Sequence, residues 1–177
     1  MLKPLEEQLL ETVRVVHDFP RSGIAFRDIT TLLNKPDLCR QVLRKLCASV
    51  SPDTTVIAGI ESRGFLFGMA MALELQLPFV PLRKRGKLPY ETHKVSYELE
   101  YGTAEIEVHK DALGTGDRVH IHDDFLATGG SALAAAALVR QSGAAVSGFS
   151  FLMGIEALGG GRILTKESPN IAILARC

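Results

Sequence analysis

Apolar residues recur at helical spacing near the start of the chain. Leu2, Leu5, Leu9, Val13 and Val16 fall on one face and predict a helix over residues 2–16. His17-Asp18-Phe19-Pro20 and a turn around Ser22-Gly23 end it. Pro36-Asp37 opens a second predicted helix over 36–49, since proline is favoured in a first helical turn. The rhythm then changes to short, continuously apolar runs. Val56–Ile60, 79–82, 118–122, 146–153 and 171–175 read as strands, while Gly64–Leu75 and the Ala-rich stretch 131–141 read as helices. Strands with little polar alternation, separated by helices, predict a parallel sheet covered on both faces. Residues 94–99 and Thr103–His109 do alternate, and around Tyr101-Gly102 they predict an antiparallel hairpin or a mobile flap. Gly159-Gly160-Gly161 reads as a flexible turn. The expected architecture is a doubly wound, mainly parallel α/β sheet. A single domain of residues 1–177 is expected, with an N-terminal helix and hood over 1–35 and a flexible loop over 94–107.

Charge narrows the partners. Twenty basic and twenty acidic residues balance in 177, so bulk charge favours neither nucleic acid nor a membrane surface. Glu6, Glu7 and Glu11 interrupt the segment where a signal peptide would be apolar, and no apolar run reaches membrane-spanning length. A soluble, cytoplasmic protein is expected. Cys39 and Cys47 sit on one predicted helix, about 12 Å apart in rise, too far to bridge. With Val42, Leu43 and Leu46 they read as small apolar residues of a packed face.

Candidate chemistry lies where strands end, because ligands of open α/β sheets bind beyond the carboxyl ends of the strands. Asp123-Asp124 is expected directly after the 118–122 strand, and Ala127-Thr128-Gly129-Gly130-Ser131 then opens a helix. Glycines let the backbone approach a ligand, and consecutive N–H groups at a helix N-terminus favour an anion. Hydroxyls of Thr128 and Ser131 add donors. A phosphate suits the turn and sugar hydroxyls suit the carboxylates, so a ribose 5-phosphate satisfies both. Ser62-Arg63-Gly64 follows the Val56–Ile60 strand, where a guanidinium and backbone N–H groups suit a pyrophosphate. Arg83-Lys84-Arg85-Gly86-Lys87 places four cations in five positions after the next strand. The sequence lacks a Walker A loop and a G-x-G-x-x-G turn after a strand. Ile60 replaces the first glycine of a G-x-S-x-G nucleophile elbow around Ser62.

The stretch from Asp123 through Ser131, with its preceding strand, resembles the phosphoribosyl-pyrophosphate signature of the type I phosphoribosyltransferase family. Three further stretches are similar to its adenine-specific branch. These are Phe19-Pro20 with Gly23-Ile24-Ala25-Phe26-Arg27-Asp28, Ser62-Arg63-Gly64-Phe65 with the basic cluster through Pro89, and Ser96-Tyr97-Glu98-Leu99-Glu100-Tyr101-Gly102. They occur in the family's order over nearly the whole chain. The resemblance implies transfer of a phosphoribosyl group from 5-phosphoribosyl-1-pyrophosphate to adenine, giving AMP and pyrophosphate. It also implies Mg²⁺ delivered with the pyrophosphate, without direct protein ligation, and a homodimer.

By resemblance, Asp123 and Asp124 bind the ribose hydroxyls and residues 127–131 cradle the 5′-phosphate. Ser62, Arg63, Arg83, Lys84 and Lys87 reach the pyrophosphate, partly from a neighbouring subunit. Ala25, Phe26 and Arg27 of the hood face the base, opposite Phe125, where the family usually has leucine. Glu100 and Tyr101 belong to the catalytic loop. Alternatives on the same fold are a phosphoribosyltransferase for another purine base and a non-catalytic ligand sensor. His120 and His122 depart from the family's apolar strand. Both should face one side of the sheet, either buried and hydrogen-bonded or joining an aspartate as metal ligands. The tail after Gly161 also matches the family poorly.

Overall fold

The computed structural model describes residues 3–98 and 103–177. Its elements run α1 (Leu5–Thr12), β1 (Arg14–His17), β2 (Ala25–Asp28), α2 (Thr30–Leu33), α3 (Pro36–Cys47), β3 (Val56–Ile60), α4 (Gly64–Leu75), β4 (Phe79–Lys84), β5 (Thr92–Glu98), β6 (Thr103–His109), β7 (Arg118–Leu126), α5 (Gly130–Gln141), β8 (Ala145–Gly154), a 3-10 turn (Glu156–Leu158), α6 (Gly160–Leu164) and β9 (Ile171–Arg176). Seven strands form one sheet in the order β5-β6-β4-β3-β7-β8-β9. The five from β4 to β9 in that order pair in parallel, and β6 and β5 extend the sheet antiparallel. This is the expected mainly parallel α/β architecture.

Both faces of the sheet are covered, as the unbroken burial of β3 requires. Val56, Ala58 and Ile60 face the cluster formed with Ala132, Ala135, Ala136 and Val139 of α5. Ile57 faces the opposite cluster, with Leu38, Val42 and Leu46 of α3 and Phe67 and Met71 of α4. The alanines let α5 lie close on the sheet. Phe149 and Phe151 of β8 fill the space beside them, stacked at 6.5 Å between ring centroids. Truncating either phenylalanine to alanine should cost about 3–5 kcal/mol.

Three expectations need correction. First, the expected 2–16 helix ends at Thr12. Val13 is extended (φ −71°, ψ 122°), and Arg14–His17 pairs antiparallel with Ala25–Asp28. Val15 and Val16 are β-branched and gain from a strand partner what a solitary helix end denies them. Leu2 lies outside the described residues. Second, the 118–122 strand continues to Leu126, so the aspartates sit inside it. The ten-residue β8 keeps supplying partners, pairing Asp123 with Phe151, Phe125 with Met153 and Leu126 with Gly154. Third, Gly160 and Gly161 begin α6 rather than forming a flexible turn. A Cβ on Gly160 would lie 2.3 Å from the Ala127 carbonyl oxygen, so the helix rests on the turn that follows β7 through a residue without a side chain.

Candidate active site

Two adjoining cavities open at the carboxyl ends of β3 and β7. One, about 220 Å³, is lined by Asp123, Phe125, the turn residues Ala127, Thr128, Gly129, Gly130 and Ser131, and Tyr97 from β5. The other, about 260 Å³, is lined by Glu61, Ser62, Arg63, Lys84, Asp123 and Asp124, among others. Tyr97, Asp123, Phe125 and Ser131 belong to both, so the two form one trough. Gly129 makes the turn possible. Its φ of +89° is a left-handed conformation that side chains resist, and α5 begins at the next residue with its N-terminus toward the cavity.

The floor of the trough is a pair of carboxylates. Asp124 is buried, Asp123 half-buried. Burial raises the pKa of both. The charge of Asp124 raises Asp123 further, well above the ordinary value, while the Arg63 guanidinium partly offsets the rise at Asp124. Arg63 Nη1 lies 3.0 Å from Asp124 Oδ2 and donates to the Arg27 carbonyl oxygen at 3.2 Å. Its guanidinium carbon sits 4.9 Å from the Phe26 ring centroid. One arginine therefore joins the carboxylate floor to the β1–β2 hood. It approaches because α4 starts tight against β7: a Cβ on Gly64 would meet the His122 carbonyl oxygen at 2.7 Å.

The basic cluster is held by two acids, Glu61, which is half-buried, and Glu107, which is buried. Glu61 Oε2 accepts from Arg83 Nε at 3.1 Å and from Lys84 N–H at 2.9 Å. Burial opposes ionisation of Glu61, but the bonds from Arg83 and Lys84 N–H, with the charge of both cations, outweigh it and lower its pKa. Glu107, only 1% exposed, accepts from the N–H groups of Lys87 and Leu88 at 2.9 and 3.1 Å. There too burial is outweighed, by the Leu88 and Lys87 N–H bonds and then the Lys94 charge, and the pKa is lowered.

The structure thus brings together Ser62, Arg63, Lys84, Asp123, Asp124, Phe125 and residues 127–131. Phe26 and Arg27 reach the group through Arg63. Arg83 and Lys87 stand outside the cavity lining, with Arg83 engaged by Glu61 and donating to the Lys87 carbonyl oxygen at 3.2 Å. Ala25 is exposed at the start of β2. Glu100 and Tyr101 lie outside the described residues. Residues 94–98 and 103–107 lie in paired strands β5 and β6.

Sequence reasoning gave no role to Glu61, Tyr97, Glu107 or Gly160. Glu61 is adjacent to Ser62 at a strand end and was within reach of that argument. Glu107 sits on the polar side of an alternating strand, and nothing local signals that a loop covers it. His120 and His122 are buried and share one partner. His120 Nε2 and His122 Nδ1 each lie 2.9 Å from Ser150 Oγ. This is the hydrogen-bonded alternative. Among the described residues, no group of three His, Cys, Asp or Glu side chains is arranged to hold a metal ion.

A parallel sheet of this order, with a phosphate-sized turn after β7 and a carboxylate pair beside it, has the architecture of the type I phosphoribosyltransferases. A model of the phosphoribosyl transferase domain matches residues 28–156. An adenine phosphoribosyltransferase of Synechococcus sp. is 47% identical over 164 residues, 92% of this chain and 95% of that one. A crystal structure of adenine phosphoribosyltransferase from Rhodothermus marinus superposes with a TM-score of 0.91 at 43% identity, covering 98% of both chains. The enzyme of Giardia lamblia complexed with 9-deazaadenine gives 0.92 at 35% identity over 99% of both. The chain belongs to the adenine phosphoribosyltransferase family.

Proposed function

We propose that this chain joins adenine to 5-phosphoribosyl-1-pyrophosphate, forming AMP and pyrophosphate in purine salvage. The observation that carries the reading is the continuity of the trough, from the 127–131 turn across Asp123 and Asp124 to Ser62, Arg63 and Lys84. A 5′-phosphate fits the turn, where the N-terminus of α5 and two hydroxyls face it. The ribose hydroxyls fall to Asp123 and Asp124, and the pyrophosphate falls to the cationic end. The complex of the Giardia relative with an adenine analogue supports adenine as the base.

In the reaction, a purine nitrogen forms a bond to ribose C1 as the C1–oxygen bond breaks. Pyrophosphate leaves with the electron pair. Positive charge builds on the sugar, above two carboxylates whose raised pKa values show how poorly solvent serves them; a cationic ring compensates that loss. Arg63, Lys84, Arg83 and Lys87 stabilise the departing anion. Phe26 stacks on the base with Phe125 on its other side, and the Ala25–Arg27 main chain reads its edge. Glu100, in the sequence between β5 and β6 with Tyr101, takes the proton that the purine loses. The donors facing the trough are hard carboxylate oxygens, which suits Mg²⁺ arriving on the substrate phosphates rather than in a protein cage. Held beside Asp123 and Asp124 on the substrate phosphates, Mg²⁺ would supply positive charge against that of the leaving group.

The working form is a homodimer. Leu66, Met69 and Leu73 of α4 are 47%, 45% and 67% exposed at helical spacing, forming an apolar stripe that a second copy could cover. No helix among the described residues is long and apolar enough to cross a membrane. Three free cysteines suit the reducing cytoplasm, where we place the enzyme.

The test is pyrophosphate release from phosphoribosyl pyrophosphate with Mg²⁺ and each of adenine, hypoxanthine, guanine and xanthine. Release should require adenine. Turnover with another base in its place would overturn the base assignment, and no turnover with any base would overturn the transferase reading.

A further inference from the structure

Tyr97 lies in β5, two positions before the 99–102 segment, and its ring stands at the junction of the two cavities. It packs against the hydrophobic core beside α5. Ser131 Oγ, in the first turn of α5, donates to Tyr97 Oη at 3.3 Å. This bond connects the hairpin to the phosphate turn side chain to side chain.

The chemistry of that bond constrains what happens when a phosphate enters the turn. A serine hydroxyl has one proton, and a phosphate oxygen facing it can only accept. A phosphate that takes the Ser131 proton removes it from Tyr97. The phenol has a proton of its own and can turn from acceptor to donor, giving it to the same serine oxygen. The result is a chain, Tyr97 O–H to Ser131 O–H to phosphate oxygen, in which every proton is used. Each link polarises the next, and the charged end makes the chain stronger than the neutral pair it replaces.

We propose that Tyr97 is a positioning residue that ties the paired strands β5 and β6 to the phosphate turn through Ser131, so that phosphate in the turn stiffens the strand that leads in sequence to Glu100. The inference rests on the proposed function, since it assigns the turn to the 5′-phosphate of the sugar. It adds an order of events: the anchoring phosphate steadies the hairpin before any purine arrives.

Hydrogen exchange on the full-length protein tests it, with ribose 5-phosphate as the probe and Tyr97→Phe as the variant. The substitution keeps the ring and its packing and removes only the hydroxyl. In the wild type, ribose 5-phosphate should slow amide exchange in both 127–133 and 92–98. In Tyr97→Phe the first region should still slow, while the slowing at 92–98 falls by about two- to tenfold, the worth of one hydrogen bond. The variant's KM for phosphoribosyl pyrophosphate should rise by a similar factor, with kcat changed much less. Equal slowing of 92–98 in both proteins would overturn the tie and leave the phosphate turn standing. No slowing at 127–133 in either protein would overturn the assignment of the turn itself, and the tie with it.

Discussion

Ser150 is shared by two imidazoles and has one proton to give. Ser150 can donate to only one of them, so at least one of His120 and His122 donates to its oxygen, and burial keeps both rings neutral near pH 7. Burial lowers His120 to about 4. Burial, then repulsion from His120, lowers His122 to about 3. The unfolded chain charges both near pH 6.5. Below that pH the unfolded state takes up protons that the folded state refuses, so stability falls as pH drops. The loss levels off only where the folded imidazoles themselves charge, near 4 and 3. At pH 5 each imidazole should cost about 2 kcal/mol relative to pH 7. Thermal unfolding between pH 7 and pH 5 should show a steep decline, and His120→Val with His122→Val and Ser150→Ala should flatten it. An equally steep decline in the triple variant would place the acid sensitivity elsewhere. From the sequence, strand alternation placed both rings on one face of the sheet, but their partner is 28 positions away from His122 on another strand. Asp123 and Asp124 were legible for the opposite reason, because a carboxylate pair and a Thr-Gly-Gly-Ser turn are contiguous and carry their chemistry together.

At the scale of elements, the loop between β4 and β5 shows what local pattern conveys and what it omits. The four cations of Arg83–Lys87, at the end of β4 and the start of this loop, are visible in the sequence, but their restraint is not, because Glu61 lies just after β3 and Glu107 in β6. Glu107 also accepts from Thr92 Oγ1 at 3.4 Å, closing the loop at its far end. Glu107→Ala should leave two N–H groups without their acceptor, at about 1–3 kcal/mol each where water cannot replace it. The loop should then open, raising KM for phosphoribosyl pyrophosphate by tenfold or more. Glu107→Gln keeps one oxygen able to accept from both N–H groups and should recover most of that loss. Steady-state kinetics decide the point: equal damage in both variants would mean that the charge, not the acceptor geometry, sets the loop. The strand boundaries have a similar explanation. β3 and α4 were read to the residue because their apolar runs stand alone. β7 was cut short at its first aspartate, and only pairing with β8 shows that it continues. In the hood, β1 takes its conformation from β2, so residues 14–17 looked like the end of a helix.

For the whole molecule, the question is what α4 does on its outer side. Its inner side is accounted for: Phe67 and Met71 pack toward the sheet, and its N-terminus sits against β7. Leu66, Met69 and Leu73 then spend apolar area on solvent, whereas the long helices α3 and α5 expose no large apolar side chain. Burying the remaining exposed half of these side chains against a second copy would contribute about 1 kcal/mol each. Lys87 and Arg83 stand outside the cavity lining of their own chain, and we propose that in such a dimer they serve the trough of the second copy. Leu73→Glu, the most exposed position, should therefore yield a monomer by light scattering. It should also weaken phosphoribosyl-pyrophosphate binding while leaving the fold's far-ultraviolet circular dichroism unchanged. The two effects should move together across protein concentration, with binding recovering wherever dimer is restored. A Leu73→Glu monomer that binds with wild-type affinity would show that each trough is complete without its partner.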